Sequence, residues 1–299
     1  MRININIRKN MVIRILTIIL STYLLFACSD NESETDQATR ISHAYDIDIQ
    51  AGDPALFFPM GYTKQDAMLP TVKMEATSLK QSSEALDGIE SALSLYPSGF
   101  VTSFIDAIYI SGSMEIEGAK AGGTFGPEWI VLSNIEHWNG TQANYENFLR
   151  GVHHELSSLV LKKSIFTVVA WPKLLPSDWT SSENNYQALT LNEETEPNYA
   201  SGFLTQYGET SMGNDFNVYA EFAFTEPEHL KKLAKQYSII AQKLGLFISA
   251  YTNVLPKYRQ GFTDYFNNTG LSKVAIPPIE KAELILQIQT DNLKPTISQ

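Results

Sequence analysis

The chain has 299 residues, of which 43% are hydrophobic and 18% are charged, and its formal net charge at pH 7 is −11. A chain of this length can form one large domain or two small ones. Its excess of acidic residues argues against a nucleic-acid partner, because phosphate backbones attract basic surfaces. The single cysteine, Cys28, excludes an internal disulfide, so stability must come from a hydrophobic core.

Residues 1–27 have the order of features that a bacterial signal peptide requires. They contain four basic residues and no acidic residue, and the apolar run 15–26 leads directly to Ala27 and Cys28. The segment LLFAC, residues 24–28, resembles a lipobox, in which the cysteine is lipidated and becomes the first residue of the mature protein. This resemblance predicts acylation of Cys28. The alternative is a free cysteine at the end of an ordinary signal segment.

Residues 28–50 are predicted to be an acidic tether, followed by one domain over residues 51–299. The run SDNESETD, residues 29–36, has four acidic residues among small polar ones and can bury little apolar surface. An acidic run at this place also resembles the export signals of surface lipoproteins, although a plain linker is equally compatible. Removing residues 1–27 shifts the net charge to −15. We expect a lipid-anchored protein of the bacterial cell envelope, attached to the outer membrane. The sequence does not indicate which face of that membrane the protein occupies.

The stretch 148–163, FLRGVHHELSSLVLKK, carries the clearest functional pattern. Its apolar residues recur at spacings of three and four, which predicts an amphipathic helix. His154 followed by Glu155 forms the first half of an H-E-x-x-H pattern, in which two histidines bind zinc and the glutamate is the general base. Ser158 stands where the pattern has its second histidine. The alternative interpretation is a solvated polar pair on a surface helix.

Two further stretches flank this helix in the sequence. The stretch GGTFGPEWIVLSN, residues 122–134, predicts a strand over Trp129–Asn134, which would be a sheet edge that receives an extended peptide. The stretch GFLTQYGETSMGNDF, residues 202–216, leads into a predicted helix in which Asn214, Asn217 or Val218, and Glu221 share one side.

Together, the three stretches resemble the zinc-binding metallopeptidase lipoproteins of Bacteroidetes, over roughly residues 80–265. The resemblance implies an α+β fold of the gluzincin type, with a small sheet, an active-site helix and a helical C-terminal half. It places the first zinc ligand on His154, the general base on Glu155 and the second ligand on Ser158. In the downstream motif, it places the third ligand on Asn214, beside Asp215.

A serine hydroxyl and an amide oxygen are poor zinc ligands compared with imidazole and carboxylate. Substitutes for them are His153, Asp215 or Glu221. His153 points about 100° away from His154 around an α-helix, so it could share an ion only if the helix were distorted. We therefore predict that His153 is a hydrogen-bonded histidine at the edge of the core.

The sequence thus supports three functional hypotheses. The first is a zinc-dependent peptidase, with an impaired ligand set, that hydrolyses peptides by means of zinc-activated water. The second is a non-catalytic relative that binds a peptide, a glycan or a partner lipoprotein in the same cleft. The third is a structural surface lipoprotein whose helix only resembles the motif.

We expect the variant Cys28→Ala to be released from the membrane fraction of a bacterial host, because the residue that would carry the lipid is removed. Incorporation of labelled palmitate, followed by membrane fractionation, measures both effects. The matched control is Ser29→Ala, which changes the next residue only. A Cys28→Ala variant that remains with the membranes, and whose mature N-terminus lies elsewhere, would contradict the lipoprotein prediction.

Overall fold

The computed structural model describes residues 33–57, 72–133, 141–182 and 196–278. Cys28 and the signal segment lie outside these ranges, so lipidation remains a prediction. None of the helices within the ranges is long and apolar enough to cross a membrane.

The described part of the chain has the predicted α+β class, with small sheets and a helical C-terminal half. Its helices are α1 Glu34–Tyr45, α2 Pro54–Phe57, α3 Ser83–Leu93, α4 Thr141–Lys163, α5 Ile165–Ala170, α6 Met212–Thr225, α7 Pro227–Gln236, α8 Ser238–Asn253 and α9 Arg259–Asn268. Its strands are β1 Asp48–Ala51, β2 Val72–Met74, β3 Ala107–Ser111, β4 Met114–Ile116, β5 Ala119–Lys120, β6 Gly123–Phe125 and β7 Trp129–Ser133.

The larger sheet has the strand order β1–β3–β7–β6, and the smaller one has the order β2–β4–β5. In the larger sheet, β1, β3 and β7 run parallel, whereas β6 pairs with β7 in the antiparallel direction. All five residues of β7 are buried, as is typical of a strand covered on both faces.

The prediction that Trp129–Asn134 forms the peptide-receiving edge is wrong. The strand exists as β7, but β3 and β6 occupy its two hydrogen-bonding edges, and Asn134 lies outside the described residues. The edge strand on this side is β6, Gly123–Phe125. A short, glycine-containing strand gives little periodicity, so the sequence pattern favoured its longer and more apolar neighbour.

The predicted tether is wrong for residues 34–50, which fold as α1 and β1. Ser33 caps α1 by accepting a hydrogen bond from the backbone N–H of Asp36, at 3.2 Å. Ala38 and Ile41 are buried in the main core, as is Ile49 of β1. The acidic residues at the start of α1 therefore stabilise a helix N-terminus, where negative charge is favourable, and do not mark a solvated linker.

The helix α4 lies at the centre of the core, in contact with α3, α6 and the larger sheet. Of the five apolar positions that the periodicity predicted to face the core, Leu149 is partly buried and the others are buried: Val152, Leu156, Leu159 and Val160. Ser158, on the side predicted to be polar, is also buried because α6 covers it. Gly88 of α3 allows a close approach to α4. A Cβ atom at position 88 would lie 2.5 Å from the carbonyl oxygen of Tyr145 and 3.0 Å from the backbone nitrogen of Leu149.

We expect Gly88→Ala to lower the free energy of unfolding by about 1–3 kcal/mol, because the added methyl group would push α3 and α4 apart. Chemical denaturation of the purified domain measures this loss. The matched control is Gly213→Ala in α6, where the nearest atom to the new Cβ is a serine hydroxyl at 3.7 Å. Equal stability of the Gly88→Ala variant and the wild type would contradict the close helix contact.

Candidate functional site

Two polar contacts, one helical turn apart, join α4 to α6. Nδ1 of His154 lies 2.7 Å from Oε1 of Glu221. One turn further along α4, Oγ of Ser158 accepts a hydrogen bond from Nδ2 of Asn217, at 2.6 Å. Residues four apart lie on one face of a helix, so 154 and 158 on α4 face 217 and 221 on α6.

The contact between Ser158 and Asn217 is buried and carries no charge. Asn217 is 3% exposed and Ser158 is 8% exposed. The hydroxyl of Ser157 donates a further hydrogen bond to Oδ1 of Asn217, at 2.5 Å. The asparagine amide is thus satisfied on both its donor and its acceptor side by α4, which makes the pair a stable part of the helix contact.

His154 has the surroundings of an oriented imidazole. Burial lowers its pKa, but the hydrogen bond that the ring donates to Glu221 and the negative charges of Glu155 and Glu221 outweigh burial, and the pKa is raised overall. Histidines that bind metals usually donate their second ring N–H to a carboxylate in this way, which fixes the ring. The carboxylate of Glu221 therefore orients His154 through Nδ1 and leaves Nε2 for another partner.

Glu155 is buried, and it has no hydrogen-bond partner among the described residues. Only 7% of its surface is exposed. Burial raises its pKa to about 7, with an opposing effect of His154 and a smaller raising effect of Glu221. A Cβ atom on Gly123 would lie 2.7 Å from Oε1 of Glu155, so a larger residue at this point of β6 would require the carboxylate to shift from its position beside the strand.

Glu155 opens into a cavity of about 290 Å³ between β6 and α4, which we call the β6–α4 cleft. One wall contains the backbone of Gly122 and Gly123, and the opposite wall carries His154 and Glu155. Tyr207 and Glu221 also line the cleft, and the ring centroids of Tyr207 and His154 are 5.6 Å apart. The cleft therefore combines a strand edge with a polar, acidic floor.

The two residues of the downstream motif do not join this site as zinc ligands. Asn214 lies in the first turn of α6, where its Nδ2 donates to Oγ1 of Thr210 at 2.8 Å. Asp215 is fully buried, at 2.6 Å from Nζ of Lys243 and 2.7 Å from Nε1 of Trp171. Burial raises the pKa of Asp215, and these partners oppose the rise. The predicted metal roles of Asn214 and Asp215 are therefore not supported by their positions.

The prediction for His153 agrees with the structure, except that the residue lies deeper than the core edge. Its Nδ1 is 2.7 Å from the hydroxyl of Tyr96, and its ring stacks on Phe224 at 4.8 Å. Burial, together with the charge of Arg150, lowers its pKa to about 3. His153 is thus a neutral core residue and does not replace the missing zinc ligand.

The donor set around His154 does not fit zinc. The residues that face it across one turn are a serine and an asparagine, which bind each other, and Glu221 is committed to Nδ1. Within the described ranges, no group of three or more His, Cys, Asp or Glu side chains could hold a metal ion. Two neutral oxygens beside one imidazole supply no negative charge to offset that of the ion.

The sequence pattern predicts Asn217 only as one of several residues on one side of a helix, and it does not identify the contact with Ser158. The signal that identifies it is the spacing, because 217 and 221 are four apart, like 154 and 158. The motif alignment counted from Asp215 and so assigned the third ligand to Asn214, three residues before Asn217. Only the helix contact determines which residues of α6 face α4.

No family model matches this chain, and no curated protein matches it. Among solved structures, it is similar to a protein from Bacteroides caccae ATCC 43185 described as a "putative zinc-binding metallo-peptidase". The two share 16% sequence identity, the alignment covers 81% of this chain and 95% of that chain, and the TM-score is 0.38. A similarity at this level does not assign a function to the chain.

We expect Glu155→Gln to stabilise the protein at alkaline pH and to have no such effect in acid. The folded-state pKa of about 7 lies above the ordinary value of 4.5. The folded state therefore holds this proton more tightly, and the stability it contributes is complete below pH 4.5 and is lost as the pH rises through 7. A glutamine does not ionise, so the variant should exceed the wild type by up to about 3 kcal/mol at pH 8.

Urea denaturation at pH 4, 6 and 8 measures this difference. The control is Glu228→Gln in α7, whose side chain is 80% exposed. A gap between Glu155→Gln and the wild type that does not grow with pH would contradict the burial of an unpartnered carboxylate.

Proposed function

We propose that this protein is a non-catalytic relative of zinc metallopeptidases that binds an extended peptide in the β6–α4 cleft, and that a lipid on Cys28 anchors it to the bacterial cell envelope. The observation that carries the proposal is the hydrogen bond between Ser158 and Asn217. This bond occupies the positions, one turn from His154 and from Glu221, that a zinc site would need for its other ligands.

Parts of a zinc peptidase site accompany this neutral pair. The helix position of the first ligand holds His154, its orienting carboxylate is Glu221, and Glu155 faces the cleft. Such a combination supports descent from a metal site that lost its ligands, because a histidine oriented by a carboxylate is typical of metal sites. An unrelated surface helix would not explain a buried carboxylate that opens into a cavity.

The edge of β6 supports a peptide as the ligand. The N–H of Gly126 donates to the carbonyl of Trp129, and the N–H of Ser133 donates to the carbonyl of Gly122, at 2.8 and 2.9 Å. Because hydrogen-bonded and non-hydrogen-bonded pairs alternate in an antiparallel ladder, Gly123 belongs to a non-hydrogen-bonded pair. Its N–H and C=O therefore point away from β7.

Within the described ranges, no strand pairs with the second edge of β6. An extended peptide can bind such an edge through main-chain hydrogen bonds and place alternate side chains in the adjoining cleft. A glycan would not use the repeat of strand N–H and C=O groups. We therefore favour a peptide over the other ligands that the sequence left open.

We expect the wild-type protein to bind zinc weakly and the double variant Ser158→His/Asn217→Glu to bind it at least about 100-fold more tightly, since even changes around a ligand cost 10- to 100-fold. Isothermal titration with zinc measures both affinities. The matched control is Ser158→His/Asn214→Glu, which places the new carboxylate three residues earlier. Tight stoichiometric zinc in the wild type, with peptide hydrolysis that Glu155→Gln abolishes, would show an active peptidase instead.

The binding function is tested with a library of fluorescent heptapeptides that have blocked C-termini and either free or acetylated N-termini. We expect the wild type to bind a subset of them, and Gly123→Val to weaken that binding at least about tenfold, because the new side chain would fill the cleft beside Glu155. The control is Thr124→Val, whose side chain projects from the opposite face of β6. Failure of the wild type to bind any peptide, or equal binding by Gly123→Val, would contradict the proposal.

A further inference from the structure

The floor of the β6–α4 cleft contains one carboxylate that the fold itself does not use. Glu155 is more than nine-tenths buried, and no described residue forms a hydrogen bond with it. Buried carboxylates are normally paired, because leaving such a group without a partner costs free energy. Because this carboxylate lines the cleft, it is available to a partner supplied from outside the chain.

Within the described residues, no basic side chain forms an ion pair with Glu155. The carboxylate of Glu221 contacts the ring of His154, so these two groups largely balance each other when the ring is protonated. Arg150 lies in the wall of the cleft, but its guanidinium contacts Glu226 and lies 3.9 Å from Glu146. The guanidinium of Arg150 is therefore already paired with carboxylates other than Glu155.

The other basic side chains near β6 do not serve Glu155 either. Nζ of Lys162 lies 4.2 Å from the centre of the Phe125 ring. Lys120 also lines the cleft, but among the described residues its ammonium forms no ion pair with Glu155. The described side chains thus leave Glu155 without a cation in hydrogen-bond contact, and a ligand in the cleft is free to supply one.

Building on the proposed peptide-binding function, we propose that Glu155 selects ligands that place a cationic N–H donor in the β6–α4 cleft. A lysine or arginine side chain and a free peptide N-terminus share this chemistry. Because Gly123 lets the carboxylate reach β6, a residue of a peptide bound along that strand could direct its cation onto Glu155. The glutamate of the H-E-x-x-H pattern then acts as a specificity residue.

The test compares three versions of each bound heptapeptide, with lysine, arginine or norleucine at one position in turn, and each with a free or an acetylated N-terminus. For the wild type, we expect replacement of one cation by norleucine, or acetylation, to weaken binding by about 10- to 100-fold, as is typical of a charge-assisted hydrogen bond. The same replacements should change binding to Glu155→Gln by less than about twofold. The control Glu228→Gln should behave like the wild type.

Peptides that bind without a cationic preference, or a preference that persists in Glu155→Gln, would overturn this inference and leave the peptide-binding function intact. A second measurement separates the opposite failure. We expect n-butylammonium to shift the carboxyl carbon resonance of Glu155. If this shift occurs but no peptide binds, the cation site is supported and the peptide-binding function is contradicted. The absence of both the shift and the preference would overturn the cation site.

Discussion

The contact between α4 and α6 determines what this molecule can do. Two residues four apart on each helix meet in register, so that His154 faces Glu221 and Ser158 faces Asn217. In a zinc peptidase, a contact of this geometry would be held together by the ion. Here the second pair is held by a neutral hydrogen bond that joins the two helices at this point. The acidic floor and the edge of β6 depend on that packing.

The sequence predicted the helices and strands that have strong periodicity, but it did not predict the features that depend on tertiary contacts. The burial of the apolar residues of α4 followed from their spacing, and the α+β class was implied by the resemblance of three sequence stretches to a known family. The sequence did not predict which strand forms the edge of the sheet. A three-residue strand such as β6 has no recognisable periodicity, and the order in which strands pair depends on long-range contacts. The tether prediction failed for a different reason: the acidic residues around Glu34 and Asp36 read as a solvated run, yet they lie in a helix N-terminus whose later residues are buried.

Within the site, sequence motifs identified the chemistry of α4 better than that of α6. His154, Glu155 and Ser158 were placed by a fixed spacing on one helix, which the fold preserves. Asn214 and Asp215 were placed by similarity to a motif, and the rotation of α6 directs Asp215 to Lys243 in the core. The burial of Glu155, which its motif position does not predict, points to a role in binding. A carboxylate that the fold leaves unpartnered lowers stability at neutral pH, and such a cost is typical of a residue retained for binding.

The central claim is that Ser158 and Asn217 stand, bonded to each other, where zinc ligands would be. Crystals of the wild-type domain grown with excess zinc, and measured with X-rays at the zinc absorption edge, test this claim most directly. The account predicts at most a weak, partly occupied anomalous peak beside Nε2 of His154 and an intact hydrogen bond of about 2.6 Å between Ser158 and Asn217. A fully occupied zinc peak between His154 and these two residues, with their hydrogen bond broken, would contradict it.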